Sequence, residues 1–202
     1  MSIHVLRVWL PDRPGALGAV ATRIGAVRGD VIGIDIIERG AGRAVDELVV
    51  DLPDETVVDL LVAEVREVEG VDVEDIRALD GPPEDPAVAA LDVAHSIRDA
   101  FSEADAFESL VAGARRLLHA TWAALVDPGQ NRVVATDGKG LPTEGWLCAF
   151  VLGALAEGST AGPDELAIAP IRGGKMALVV SRDHLKLRGR EQDILERVAS
   201  LI

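Results

Sequence analysis

Two short stretches combine residue types and spacings suited to binding chemistry, Asp12-Arg-Pro-Gly-Ala-Leu17 and Gly29-Asp-Val-Ile-Gly-Ile34. Pro14 suits the first turn of a helix, where its missing N–H is no loss. A helix opening there leaves the N–H groups of Gly15, Ala16 and Leu17 without intrahelical partners. They stand at the positive end of the helix dipole, a ready receptor for a carboxylate. Gly15 has no Cβ, so a ligand can come close to its backbone. An amino acid also brings an ammonium, and Asp12 and Asp30, at the ends of neighbouring elements, are its candidate counter-ions. The plainer alternative is that Pro-Gly merely opens a helix which Asp12 caps.

Little else in the chain suggests catalysis. His4, His95, His119 and His184 are scattered, and none has a second ligand at a metal-helix spacing. His119 reads as a cap or a partly buried side chain at a helix end. Cys148 is the only cysteine, so no intramolecular disulfide can form. It reads as a small buried hydrophobe in a protein of the reducing cytoplasm. Gly138-Lys-Gly140 and Gly173-Gly174-Lys175 are too short for phosphate loops and lack a following Ser or Thr. Trp9, Trp122 and Trp146 read as packing groups, Trp9 on the strand face opposite Leu6, Val8 and Leu10. No catalytic residue, metal or cofactor is expected.

The elements that position the first motif follow from periodicity. Ile3–Leu10 is strand-like, and Leu17, Val20, Ala21, Ile24 and Val27 form a helical stripe at spacings of three and four. Val31–Glu38 is a second strand, Arg39-Gly-Ala-Gly42 a hairpin turn and Val45–Leu52 a third strand. Asp54 and Glu55 open a second helix with Val58, Leu61, Val62, Val65 and Val68 on one side, and Val71–Leu79 is the fourth strand. The order βαββαβ predicts a ferredoxin-like sandwich, helices on one face of an antiparallel sheet.

The segment Asp80-Gly-Pro-Pro-Glu-Asp-Pro86 is the linker candidate, because its prolines and acids favour water over regular hydrogen bonding. The chain therefore divides into a domain over 1–80, a linker over 81–88 and a second domain over 89–202. In the second, Ala87–His119 reads as helix broken near Ser102, and Thr121–Val126 pairs with Arg132–Thr136. Glu144–Glu157 is helical, Glu165–Ile171 pairs with Lys175–Ser181, and a final helix points Ile194, Leu195, Val198, Leu201 and Ile202 inward. Both domains are α+β.

Composition narrows the function. Hydrophobic residues make up 49% of the 202, enough for packed cores. No apolar run approaches the roughly 20 residues that span a bilayer, so no membrane partner is expected. No basic region precedes a short apolar one at the start, so no signal peptide is expected either. Residues 1–80 hold 17 acids against 8 bases and residues 81–202 hold 17 against 12, so both halves repel a phosphate backbone and no nucleic-acid partner is expected. The basic cluster Arg182, His184, Lys186, Arg188 and Arg190 reads as a solvated loop before the last helix. The second strand is apolar on both faces, interrupted only by Asp35 and Glu38, and lies at a sheet edge. Such an edge invites cover, and a second copy in a C2 dimer is the natural one.

Asp12-Arg-Pro-Gly-Ala-Leu17 within a βαββαβ pattern resembles the ACT domain family of regulatory amino-acid-binding modules. The resemblance covers about residues 3–80. It implies side-by-side dimers that hold the ligand between this turn, Asp12, Pro14, Gly15, Ala16 and Leu17, and the partner's second strand, with Asp30, Val31 and Ile34. Many members carry Asn where this chain has Asp30, and the extra negative charge works against a bound carboxylate there. Ala169-Pro-Ile-Arg-Gly-Gly-Lys175, the strand Met176–Ser181 and the terminal helix give the second domain a shorter, GAF-like resemblance, without an Asn-Lys-Phe-Asp-Glu motif. Two functions follow: a non-catalytic dimeric sensor of a free amino acid, or a ligand-free module that dimerises or regulates a partner enzyme or kinase. A small enzyme is a third, for which no catalytic grouping speaks. A bulky residue at Gly15 separates the first two, since only the sensor loses binding.

Overall fold

A computed structural model describes residues 2–79, 81, 84–158 and 165–202. Asp80, Pro82 and Pro83 of the linker candidate lie outside them. The chain forms two compact units, Met1–Pro83 and Glu84–Ile202.

The first unit runs β1 (Ser2–Pro11), α1 (Ala16–Ala26), β2 (Asp30–Gly40), β3 (Arg43–Leu52), α2 (Val58–Arg66) and β4 (Asp72–Ala78). The sheet order is β2-β3-β1-β4, every pair antiparallel, which is the ferredoxin-like arrangement expected. Leu6, Val8 and Leu10 of β1 and Leu48, Val50 and Leu52 of β3 point to one face, where Val20 and Ile24 of α1 and Leu61 and Val65 of α2 close the core. The β2–β3 turn is Ala41-Gly42, both at positive φ (51° and 77°), the backbone a two-residue hairpin needs. Gly29 tightens the entry to β2, since a Cβ there would stand 3.0 Å from Ile24 and Leu52 side-chain carbons. Asp54 accepts from the Thr56 N–H at 2.8 Å and caps a 3-10 turn (Glu55–Val57) that leads into α2.

On the opposite face Arg7 is fully buried, and its Nε donates to Glu47 at 2.9 Å. Arg77 donates to the same Glu47 oxygen at 3.1 Å. Trp9 donates to Glu74 at 3.2 Å and lies 5.1 Å from the Arg43 guanidinium.

The second unit runs α3 (Pro86–Arg98), α4 (Glu103–Leu117), β5 (Trp122–Asp127), β6 (Arg132–Gly138), α5 (Glu144–Glu157), β7 (Leu166–Ile171), β8 (Met176–Ser181) and α6 (Gly189–Ala199). Its antiparallel sheet has the order β6-β5-β8-β7. The α3–α4 break falls where expected, with the Ser102 hydroxyl accepting from the Asp105 N–H at 3.2 Å. One face of the sheet packs Leu125, Leu178 and Val180 against Phe107, Leu110 and Leu195. The other packs Ala124, Ile168 and Val179 against Leu147 and Val151 of α5.

Three expectations for this unit need correction, those for the basic cluster, for Trp146 and for Leu201. Arg182 and Arg188 are buried at 6% and 7% exposure, not solvated. Arg182 donates to Glu191 and to the Leu118 carbonyl, so a partner 64 residues away turns a charge run into an internal tie. His119 stands at the end of α4 as expected, exposed and at a left-handed φ of 48° with its N–H donating to the Arg116 carbonyl at 3.2 Å. Trp146 is 45% exposed and stacks on Phe150 with centroids 5.0 Å apart, because α5 is apolar on its outer side as well. Leu201 is 42% exposed, since α6 ends at Ala199 before that position can turn inward.

Candidate functional site

The turn between β1 and α1 is built by short-range bonds. The Asp12 N–H donates to the Gly42 carbonyl at 3.0 Å, which ties the turn to the tip of the β2–β3 hairpin. The helix does not open at Pro14. Gly15 is the N-cap, at a left-handed φ of 89°, and no side chain caps the helix. Asp12 is exposed and makes no capping bond, so the cap in the plainer alternative is absent. The Ala16 N–H is satisfied by the Arg13 carbonyl at 3.3 Å, which removes it from the expected set. The amides without a hydrogen bond among the described residues are Gly15, Leu17 and Gly18. Ala16 is buried, Leu17 half-buried and Gly15 exposed, so these donors face open space at the helix's positive end.

The β2 residues divide. Asp30 pairs with Asp51 at one end of the sheet, while Pro11 and Arg43 pair at the other. Eight residues of β3 separate the two levels, about 26 Å at roughly 3.3 Å per residue. Asp12 and Asp30 are thus not on neighbouring strands, because β3 lies between β1 and β2, and one chain does not bring them together. Val31 and Ile34 are likewise displaced from the turn, Ile34 pairing with Leu48. The β2 residue level with the turn's own end of the sheet is Gly40, paired with Arg43, and Ile36 pairs with Asp46 three residues of β3 further in. Ile32, Ile34 and Ile36 are 45%, 51% and 39% exposed, an apolar row along the edge strand.

One residue at this site went unread in the sequence. Asp46 lies between Ala44 and Leu48 on β3 and pairs with Val8 on β1, so its side chain shares the helix-covered face. It is 4% exposed, and its Oδ1 has no hydrogen-bond partner among the described residues. Burial pushes its carboxyl above the ordinary aspartate range; Arg39 opposes that shift and Asp12 adds to it. The folded chain therefore holds this proton more tightly than the unfolded chain does. Stability falls as pH rises through the carboxyl's range, and the cost is complete once it is ionised.

Among the described residues, no three His, Cys, Asp or Glu side chains group as a metal site, and no helix is long and apolar enough to cross a membrane. Cys148 is buried, and burial raises its thiol pKa, as befits a packing residue. The second unit contains a cavity of about 690 Å³ lined by Ser96, Arg116, His119 and the Arg115–Asp137 ion pair.

The first unit is thus a βαββαβ sheet with unpartnered amides at the start of its first helix and an apolar edge strand. Residues 4–70 match the family model for the ACT domain, and the N-terminal unit is an ACT domain. No curated protein matches the chain. Among solved structures, the ACT domain of GTP pyrophosphokinase from Chlorobium tepidum is 16% identical, covering 39% of this chain and all of that one, at a TM-score of 0.32. The regulatory subunit of aspartate kinase from Thermus thermophilus is 11% identical over 98% of this chain and 95% of that one, at 0.31. The chromophore-binding domain of Stigmatella aurantiaca phytochrome P1 is 16% identical over 81% of this chain and 48% of that one, at 0.29. With scores this low, the family assignment rests on the sequence match.

Proposed function

We propose that this protein is a non-catalytic, cytoplasmic sensor of a free amino acid, bound where the β1–α1 turn of one chain meets β2 of a second copy. The observation that carries the reading is the set of unpartnered Gly15, Leu17 and Gly18 amides at the start of α1. They suit a carboxylate, and Gly15 leaves room for one to approach. The exposed isoleucine row supports a dimer in which the partner's Asp30–Ile34 segment supplies what its own chain holds about 17 to 26 Å along the sheet from the turn. Occupancy at a shared site would then bias the arrangement of the GAF-like C-terminal unit and any enzyme it regulates, provided the two states bind ligand unequally.

Calorimetry of the full chain against each of the twenty L-amino acids tests this. At least one is expected to bind, and heat from none of them would remove the reading. Gly15→Asn refines the test. Asparagine tolerates a left-handed backbone better than other side chains, so the fold should survive. Its amide oxygen would compete for the α1 amides. Binding is expected to weaken at least about tenfold, the worth of one ordinary hydrogen bond.

A second reading has its own support. α5 exposes Leu152 at 59% on one flank and the stacked Trp146–Phe150 pair on another, apolar groups of the kind that mark protein contacts. They suit a ligand-free module that presents a surface to a partner enzyme. Full regulation of a partner by G15N, with no amino acid bound by either form, would favour it.

A further inference from the structure

We propose that the cavity of the second unit, between α3, α4 and β6, binds a small phosphomonoester whose phosphate is held by Arg115 and Arg116. The proposal stands apart from the amino-acid reading of the first unit and shares no residue with it.

The cavity measures about 690 Å³, inside the range of roughly 300–1,000 Å³ usual for small-molecule sites. Its polar lining is Ser96 of α3, Ser109, Arg115 and Arg116 of α4, His119 just past that helix and Asp137 of β6. Val93 and Ala120, both buried, add apolar surface.

Two glycines keep this arrangement in place. The two helices come so close that a Cβ on Gly113 would stand 2.5 Å from a Val93 methyl carbon. At Gly138, with φ 101°, a Cβ would stand 3.0 Å from Cδ of Arg115 and 2.3 Å from the Thr121 carbonyl oxygen. Glycine there lets the Arg115 stem lie across the end of β6.

The donors on this cavity are only partly used. Nε of Arg115 donates to Asp137 at 2.5 Å, which fixes the plane of the guanidinium. Its two terminal amino groups make no hydrogen bond among the described residues. Arg116 makes no side-chain hydrogen bond or ion pair among them. Yet acids outnumber bases 17 to 12 over residues 81–202, so carboxylates to pair with are in excess. Cations in a last helical turn also complement the helix dipole. That role explains the charge of Arg115 and Arg116, but neither the cavity they share nor the tether to Asp137.

Charge and shape select the ligand. Asp137 is engaged by Arg115, and Glu84, the other acid of the lining, is exposed. A phosphomonoester brings about −1.5 to −2 charges at neutral pH and three acceptor oxygens. Two planar guanidinium groups meet those oxygens with paired N–H donors. The Ser96 and Ser109 hydroxyls can donate to the ester's own hydroxyls, and Val93 and Ala120 face its carbon chain.

The test is calorimetry at low salt on the full chain with glycerol 3-phosphate, inorganic phosphate and glycerol. Wild type is expected to bind glycerol 3-phosphate with a Kd at or below about 1 mM, inorganic phosphate more weakly and glycerol not at all. R116Q should weaken the ester at least about tenfold, as loss of a charged hydrogen bond does. Its thermal midpoint should stay within about 2 °C of wild type, because Arg116 is exposed. Ala112 is exposed on the same cavity, four residues before Arg116. A112E would engage Arg116 along the helix and should weaken the ester at least about tenfold, whereas A112K should bind as wild type does. Absence of binding to wild type would overturn the site. Undiminished binding by folded R116Q and A112E would overturn it as well, by placing the ester elsewhere. Equal loss in A112E and A112K would overturn the part assigned to charge, and inorganic phosphate binding as tightly as the ester would overturn the ligand class. Unfolding of both R116Q and A112E would overturn the proposal by showing these positions to be structural.

Discussion

Ile34→Glu is expected to break the proposed β2–β2 dimer and to abolish amino-acid binding with it. Ile34 is 51% exposed on an edge strand, beside Ile32 and Ile36, and its pairing with Leu48 leaves it at the rim of the helix-covered face. Strand-to-strand pairing of two copies would bury it twice by symmetry. A carboxylate there would enter an apolar seam without a counter-ion, costing several kcal/mol in each chain. The formal charge of −14 per chain adds repulsion at low salt. The dimer dissociation constant should rise at least about 100-fold, which sedimentation velocity resolves. Ile34→Val keeps the apolar face and should remain dimeric. A fully dimeric, ligand-binding I34E would show that β2 is not the interface.

Glu47→Ala should be the most damaging change within one chain. Glu47 accepts from Arg7, which is 0% exposed, and from Arg77, so one carboxylate serves two guanidinium groups on the sheet face away from the helices. Removing one partner of a buried pair leaves charge in the interior at a cost of about 3–5 kcal/mol. For a unit of this size that lowers the midpoint by more than about 10 °C. Amide exchange in β1 and β3 should accelerate while β5 and β8 keep their protection, because the core of each unit is separate. A loss below about 1 kcal/mol would mean that Arg7 does not depend on this carboxylate.

The fold was legible where short-range pattern decides it. Leu6, Val8 and Leu10 alternate as a strand must, and Val20 and Ile24 recur as one side of a helix must; both sets are buried. The order of elements then leaves few topologies. Local competition was less visible. Pro14 suits a first helical turn, yet Gly15 at φ 89° takes the cap and the Arg13 carbonyl claims one of the amides. Strand register was less visible than strand order, so Asp12 and Asp30 looked like neighbours although Asp30 pairs with Asp51 at the far end of β3. Arg182 looked solvated because its partners Leu118 and Glu191 are supplied by other elements. Asp46 is different, for its signal was present. The alternation Ala44, Asp46, Leu48, Val50 puts an acid on the core side of a strand, a conflict between residue type and position of the kind found at functional sites.

The most direct measurement is the amide spectrum of the isotopically labelled full chain, recorded as the amino acid that calorimetry selects is added. The Gly15, Leu17 and Gly18 N–H resonances are expected to move downfield as they gain a charged acceptor, together with amides of the Asp30–Ile34 segment supplied by the partner chain. Binding that shifts only amides of the C-terminal unit, and leaves those three where they were, would contradict the account.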